Sequence, residues 1–307
     1  MNWLALVLIT VIFDSTRIFI DNYISDHYFK GNGAVSQKLF YSYAFIILAI
    51  ILLIIFGLDF SNPFAIIVFL ASGLMHSLAG IPYYKALELD DSTNLGIFIQ
   101  LAPVLYLIFG WFLLDEKFSI FQLLAFLLII AAPLLIVFTA KKRSRKIKLK
   151  AIFYSLIYVF ITVLANIIFV KENLIAENLS FYSEMALIFL GKGVGNIFII
   201  YTHPKWRKRF ITVFKSSHKK VLRPLFSSYF ISITKDFTYR GALALAPSVA
   251  LASAATDSTT PIMIFFMGII LTLLWPEFGR EKLNKKSVLT HLIATVLVVT
   301  GIIILQS

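Results

Sequence analysis

The chain has 307 residues, of which 59% are hydrophobic and 14% charged, and its mean hydropathy is +0.88. A surface of that composition is not solvated by water, which excludes soluble enzymes and soluble nucleic-acid modules. The formal charge of +12 does not restore a nucleic-acid reading, because residues 141–150 hold seven and residues 205–223 hold eight of the 28 Lys and Arg; short basic clusters of this kind fix topology and meet anionic lipid head groups.

A membrane span needs about 20 apolar residues. Apolar runs between polar breaks predict ten helices, at about 2–20, 36–58, 63–85, 92–114, 118–139, 150–170, 180–200, 224–245, 250–274 and 287–305. The first lacks a basic leader region and a small-residue cleavage site and carries Asp14 and Arg17, so it is expected to be a retained helix. A charged side chain at the bilayer centre costs about 2.5–3.5 kcal/mol, and each Leu, Ile, Val or Phe returns about 0.3–0.6. Eleven such apolar residues nearly cancel Asp14 and Arg17, so the pair must face protein or water. Three residues apart, the two share a face; they either lock helix 1 into the bundle or line a polar cavity.

In the third helix His76 is an imidazole placed to relay protons or to be held by a structural hydrogen bond. In the fourth, Gln100 lies three residues before Pro103. The seventh contains Gly191-Lys192-Gly193-Val194-Gly195, whose glycines at 191 and 195 suit close helix packing. The eighth is the most demanding, since Lys235, Asp236 and Arg240 are carried by only eight strongly apolar residues between 225 and 245. Asp236 and Arg240 share a face, whereas Lys235 has no acidic partner at helical spacing and must find an anion on another helix or on a ligand. Asp14 and Asp257 are the intramembrane carboxylates available to it. In the ninth helix Asp257 stands four residues before Pro261, at the position whose carbonyl a helical proline leaves without its usual donor. With Ser258, Thr259 and Thr260 this reads as a polar, interrupted transporter segment, or as a first-turn carboxylate cap.

The basic linker 141–150 separates two sets of five spans, 1–140 and 151–307. Tyr84-Lys85-Ala86-Leu87, Gln100, Pro103 and Gly110 in the first correspond to Tyr239-Arg240-Gly241-Ala242-Leu243, Ser258, Pro261 and Gly268 in the second. Because five is odd, two related halves must enter the membrane from opposite sides, the inverted-repeat plan of many secondary transporters. The run Pro82-Tyr83-Tyr84-Lys85-Ala86-Leu87, the helix with Pro103, then Leu113-Leu114-Asp115-Glu116-Lys117-Phe118-Ser119 and a further apolar helix resemble the EamA repeat of the drug/metabolite transporter superfamily. That resemblance implies ten helices around a central cavity open alternately to each side.

The chain is therefore expected to be an all-α polytopic membrane protein that carries a small polar solute, zwitterionic or anionic, by alternating access. Asp14, Arg17, His76, Gln100, Lys235, Asp236, Arg240 and Asp257 are the expected substrate-binding residues. Proton or ion coupling is possible in such a site. Export of amphipathic amines or drugs is the alternative within the class, and a non-transporting membrane scaffold, in which the charges only lock helices, is the alternative outside it. With no cysteine, no H-E-x-x-H, no Walker A loop and no G-x-S-x-G, no catalytic residue, metal or cofactor is expected. The expected location is a plasma (bacterial inner) membrane. The loops after odd-numbered helices carry 19 of the 28 Lys and Arg, which by the positive-inside rule places both termini outside. The resemblance implies termini in the cytoplasm.

Overall fold

The computed structural model describes all residues except 1, 25–32, 59, 61, 90–100, 141–148, 174–178, 203, 205–206, 209–210, 212–218, 275–284 and 307. The described chain is helical, with α1 (Trp3–Ile24), α2 (Gly33–Phe56), α3 (Pro63–Leu78), α4 (Gly80–Leu89), α5 (Ala102–Leu114) and α6 (Ile120–Ala140) in the first half. The second half gives α7 (Leu149–Asn173), α8 (Phe181–Thr202), α9 (Lys219–Leu245), α10 (Val249–Leu274) and α11 (Lys285–Gln306). No strand occurs among the described residues. The expected third helix is interrupted at Ala79, yet its apolar character runs unbroken over Pro63–Tyr83. It starts where the local chemistry requires: the Asn62 side chain accepts from the Ala65 N–H at 3.1 Å, and Pro63 occupies a position that needs no donor. The linker 141–150 and the loop 205–223 fall largely outside the described residues, as does Gln100.

By length and apolarity α1, the α3–α4 stretch, α7, α8 and α10 each suffice to cross a membrane, and α2, α5, α6 and α11 hold shorter apolar stretches. Only α9 among the long helices meets neither description, as Lys235, Asp236 and Arg240 in its second half anticipate. Large apolar side chains such as Ile54 on α2, Phe153 on α7 and Val296 on α11 are exposed, the arrangement expected of a surface solvated by lipid.

The helices form two compact units that cut across the sequence halves. One comprises Asp21–Ala86 and Ile157–Phe230. Here α8 packs on α2 and α3, and glycine sets the distance. A Cβ on Gly73 would lie 2.1 Å from the Ile188 carbonyl oxygen, and one on Gly191 would lie 2.2 Å from that of Leu70. The Ser77 hydroxyl donates to the Lys192 carbonyl at 2.7 Å across the same seam. Phe45 and Phe189 stack at 5.2 Å, with the Lys192 ammonium 5.6 Å from the Phe45 ring.

The other unit comprises Met1–Ile20, Leu87–Leu156 and Ile231–Ser307. In it α6 packs on α11, and α10 touches α5, α6 and α11. Ala132, Ile262, Ala294 and Val298 form one buried cluster, and Leu6, Val7, Val11, Ala242 and Ala255 form another that joins α1, α9 and α10. This second cluster brings together the helices that carry most of the intramembrane charge.

Lipid tails are as apolar as leucine, so helix association in a bilayer depends on fit more than on hydrophobic exclusion. Gly73→Ala or Gly191→Ala is therefore expected to force α3 and α8 apart and destabilise the protein by about 1–3 kcal/mol. Thermal unfolding of the purified variants checks this; melting temperatures equal to that of the parent would contradict the close approach.

Candidate functional site

The unit built on α1, α5, α6, α9, α10 and α11 contains a polar seam of three layers. The innermost is ionic. The Asp14 Oδ1 atom accepts from Arg17 Nε at 3.2 Å and from Arg17 Nη2 at 2.8 Å. The same oxygen is 3.8 Å from Lys235 Nζ, which is also 3.3 Å from Asp236 Oδ1. Lys235 thus finds an anion on another helix, Asp14, as its charge requires, and a second in its sequence neighbour Asp236, which helical spacing did not suggest. The four-carbon stem lets the ammonium reach its sequence neighbour, and α1 supplies the second carboxylate. The packing is fixed one turn away by a hydrogen bond between Thr10 and Thr238 at 2.8 Å.

Asp257 differs from these groups. It lies within electrostatic reach of both Asp14 and Lys235, but it makes no hydrogen bond or ion pair with a described residue. Nor is it a cap, since α10 begins eight residues earlier at Val249. Beside it, the Ser258 and Thr259 hydroxyls are buried without a partner among the described residues.

One turn toward the start of α10 lies a chain of hydroxyls: Tyr106 and Tyr239 share a hydrogen bond at 3.2 Å, and Tyr239 and Ser253 share another at 3.2 Å. Tyr106 comes from α5, Tyr239 from α9 and Ser253 from α10, so the chain ties three helices together. Tyr106 and Ser253 are fully buried.

The outermost layer is built by the turn between α5 and α6. Asp115 adopts the left-handed conformation at φ 55°, and the Glu116 N–H donates back to the Gly110 carbonyl at 3.0 Å, closing α5. Ser119 and Gln122 then start α6 with a reciprocal capping box: the Ser119 N–H donates to Gln122 Oε1 at 2.9 Å and the Gln122 N–H to Ser119 Oγ at 3.2 Å. Between these fixed ends the Glu116 carboxylate accepts from the Val249 N–H at 2.6 Å and from the Ser248 hydroxyl at 2.9 Å. Gly110 makes room, because a Cβ there would lie 2.3 Å from Glu116 Oε2.

Of the expected site residues, Asp14, Arg17, Lys235 and Asp236 form one cluster, with Asp257 near it and Arg240 buried on the same helix. His76 lies in the other unit, its Nε2 hydrogen-bonded to Asn166 Oδ1 at 2.9 Å. Tyr106, Ser253, Ser248 and the role of Glu116 were not anticipated. A signal existed: 249, 253 and 257 are spaced by four, one face of a helix, and Tyr239 follows Lys235 by four. Among the described residues no group of three His, Asp or Glu side chains is arranged to hold a metal ion. A separate hollow at the start of α7, lined by Leu149, Lys150, Ile152, Phe153, Tyr154 and Leu156, includes none of the seam residues.

Apolar helices around a charged interior define an integral, multi-pass membrane protein. Residues 32–139, about a third of the chain, match the EamA-like transporter family. No curated protein matches the sequence. The fold recurs among solved structures: one crystal structure of a protein superposes on 98% of this chain and 94% of its own, with a TM-score of 0.68 at 13% identity.

The Asp14 carboxylate neutralises two cations, whereas Asp257 neutralises none among the described residues. Asp14→Asn is thus expected to lower stability by about 1–3 kcal/mol, allowing for its partial exposure, while Asp257→Asn leaves stability unchanged or slightly raised. Thermal unfolding of the two variants compares them directly; equal losses would refute the distinction.

Proposed function

We propose that the protein is a ten-span secondary transporter built from two inverted five-helix repeats, 1–140 and 151–307, that moves a small zwitterionic or anionic solute by alternating access. The repeat reading is supported by which helices pack together: α2 with α8, α5 with α10 and α6 with α11, the second, fourth and fifth spans of each half. The glycines that follow Pro103 and Pro261 by seven residues, Gly110 and Gly268, are both buried on the α5 and α10 pair.

The observation that carries the functional reading is the Asp257 carboxylate, which lies within electrostatic reach of a paired Lys235 and has no partner of its own among the described residues. Two oppositely charged positions a short distance apart suit the two ends of a zwitterion. The solute's cationic end takes Asp257, and its anionic end takes Lys235, whose contact with Asp14 is the longer and more easily exchanged of its two. A proton or small cation on Asp257 between solutes supplies a route to coupling. Export of an amphipathic amine is the second reading, favoured by the Tyr106 and Tyr239 rings in the layer next to Asp257. Asp14, Arg17, Asp236 and Arg240 position the cluster in either case, and His76 and Gln100 stand as further candidates. The basic loops hold anionic lipid head groups in a plasma membrane.

Lys235→Ala and Asp257→Ala are each expected to abolish solute uptake into proteoliposomes; Asp257→Ala keeps a melting temperature near the parent's, whereas Lys235→Ala lowers it by removing the cation shared by Asp14 and Asp236 but still yields folded, membrane-inserted protein. Near-normal uptake by both would overturn the reading and leave a scaffold held by locking pairs.

The excess of Lys and Arg in loops 141–150, 201–223 and 275–286 further supports termini outside the cytoplasm. In this cysteine-free chain, Ser144→Cys is then expected to be shielded from an impermeant thiol reagent in intact cells and Ser307→Cys to react; the opposite pattern would establish the reverse orientation.

A further inference from the structure

The seam leads in from one end of α10. Val249, Ser253 and Asp257 follow one another at intervals of four along the same helix face, so the Glu116 contact, the hydroxyl chain and the Asp257 carboxylate occupy successive turns. Opposite, Gly110 and Tyr106 repeat that interval on α5. Glu116 thus stands at the end of the polar seam that runs along α10 to Asp257. Its two hydrogen bonds join the turn between α5 and α6 to the turn between α9 and α10, segments more than 130 residues apart in sequence.

Resting on the transport reading above, we infer that Glu116 is a positioning residue, the releasable clasp that holds the start of α10 against α5 and closes this end of the seam.

Three features fit a clasp better than a fixed strut. The carboxylate is held from its own side by a rigid turn, with the α5 cap before it and the capping box after it, so it keeps its place when α10 departs. One of the two groups it holds already has another partner. Ser248 Oγ already accepts from the Leu251 N–H at 3.3 Å, capping α10 by itself. Released, the Glu116 carboxylate, the Ser248 hydroxyl and the Val249 N–H pass to water, so protein hydrogen bonds are exchanged for solvent ones at small net cost. The layers further in offer no such exchange, because Tyr106 and Ser253 are buried away from water. While the clasp is shut, the negative charge also lies at the positive end of the α10 dipole, which favours the closed state.

Two cysteine reporters in the cysteine-free chain test this. Ala250→Cys is buried beside Gly110 under the clasp, and Thr272→Cys is near the far end of α10, about 33 Å along the helix. In proteoliposomes, Glu116→Ala is expected to raise the maleimide labelling rate at 250 about tenfold, as loss of charge-assisted hydrogen bonds implies, and to lower the rate at 272 reciprocally. Glu116→Gln, which keeps an acceptor for the Val249 N–H, is expected to fall between. Labelling that rises at 250 with no change at 272 would reduce Glu116 to a cap whose loss frays α10, and no change at either position would also overturn the proposal. Should Glu116→Ala misfold, Ser248→Ala removes the other side of the contact and is expected to shift both rates in the same directions. Misfolding of both variants would contradict a releasable contact. Reciprocal shifts in a protein that moves no solute would instead leave the clasp intact and refute the transport reading.

Discussion

The Lys235 ammonium, shared between Asp14 of α1 and Asp236 of its own helix, is the interaction on which the charged unit depends. Without those carboxylates α9 carries too much charge for its apolar content to cross a bilayer. With them it becomes a helix that must stay docked on α1. The apolar cluster of Leu6, Val7 and Val11 against Ala242 and Ala255 is the packing consequence, and the bond between Thr10 and Thr238 fixes its register. A lipid environment turns charge into architecture in this way, since no water is present to solvate a group that its neighbours leave unpaired.

That constraint also makes Asp257 informative. Every other acidic group in the seam has protein partners: Asp14 has Arg17 and Lys235, Asp236 has Lys235, and Glu116 has Ser248 and the start of α10. A carboxylate left over among the described residues, where the others are matched, is what the proposed reading takes as the solute's position. Its neighbours in sequence, Ser258 and Thr259, carry hydroxyls, which reorient to donate or accept.

Much of the architecture was legible from residue types. The apolar runs located the helices, and the glycines at 191 and 195 announced the close approach of α8 that Gly73 completes from α3. The clustering of Asp14, Arg17 and Lys235 followed from the cost of isolated charge, although helical spacing alone wrongly left Lys235 without a nearby carboxylate. Residues such as Tyr106 and Ser253 were not legible, because a tyrosine or serine in an apolar helix carries no signal until packing shows which hydroxyls meet. Glu116 was visible only as part of a short motif. Its meaning depends on α10, which the sequence places more than 130 residues away.

The central claim is that the seam is a binding site and that Asp257 is its open position. The most direct measurement is a thermal-shift screen of purified protein against small zwitterions, anions and amines, run in parallel on the parent and on Asp257→Asn. The account predicts that one chemical class raises the melting temperature of the parent and fails to raise that of the variant. A solute that stabilises both proteins equally would place binding elsewhere and contradict it.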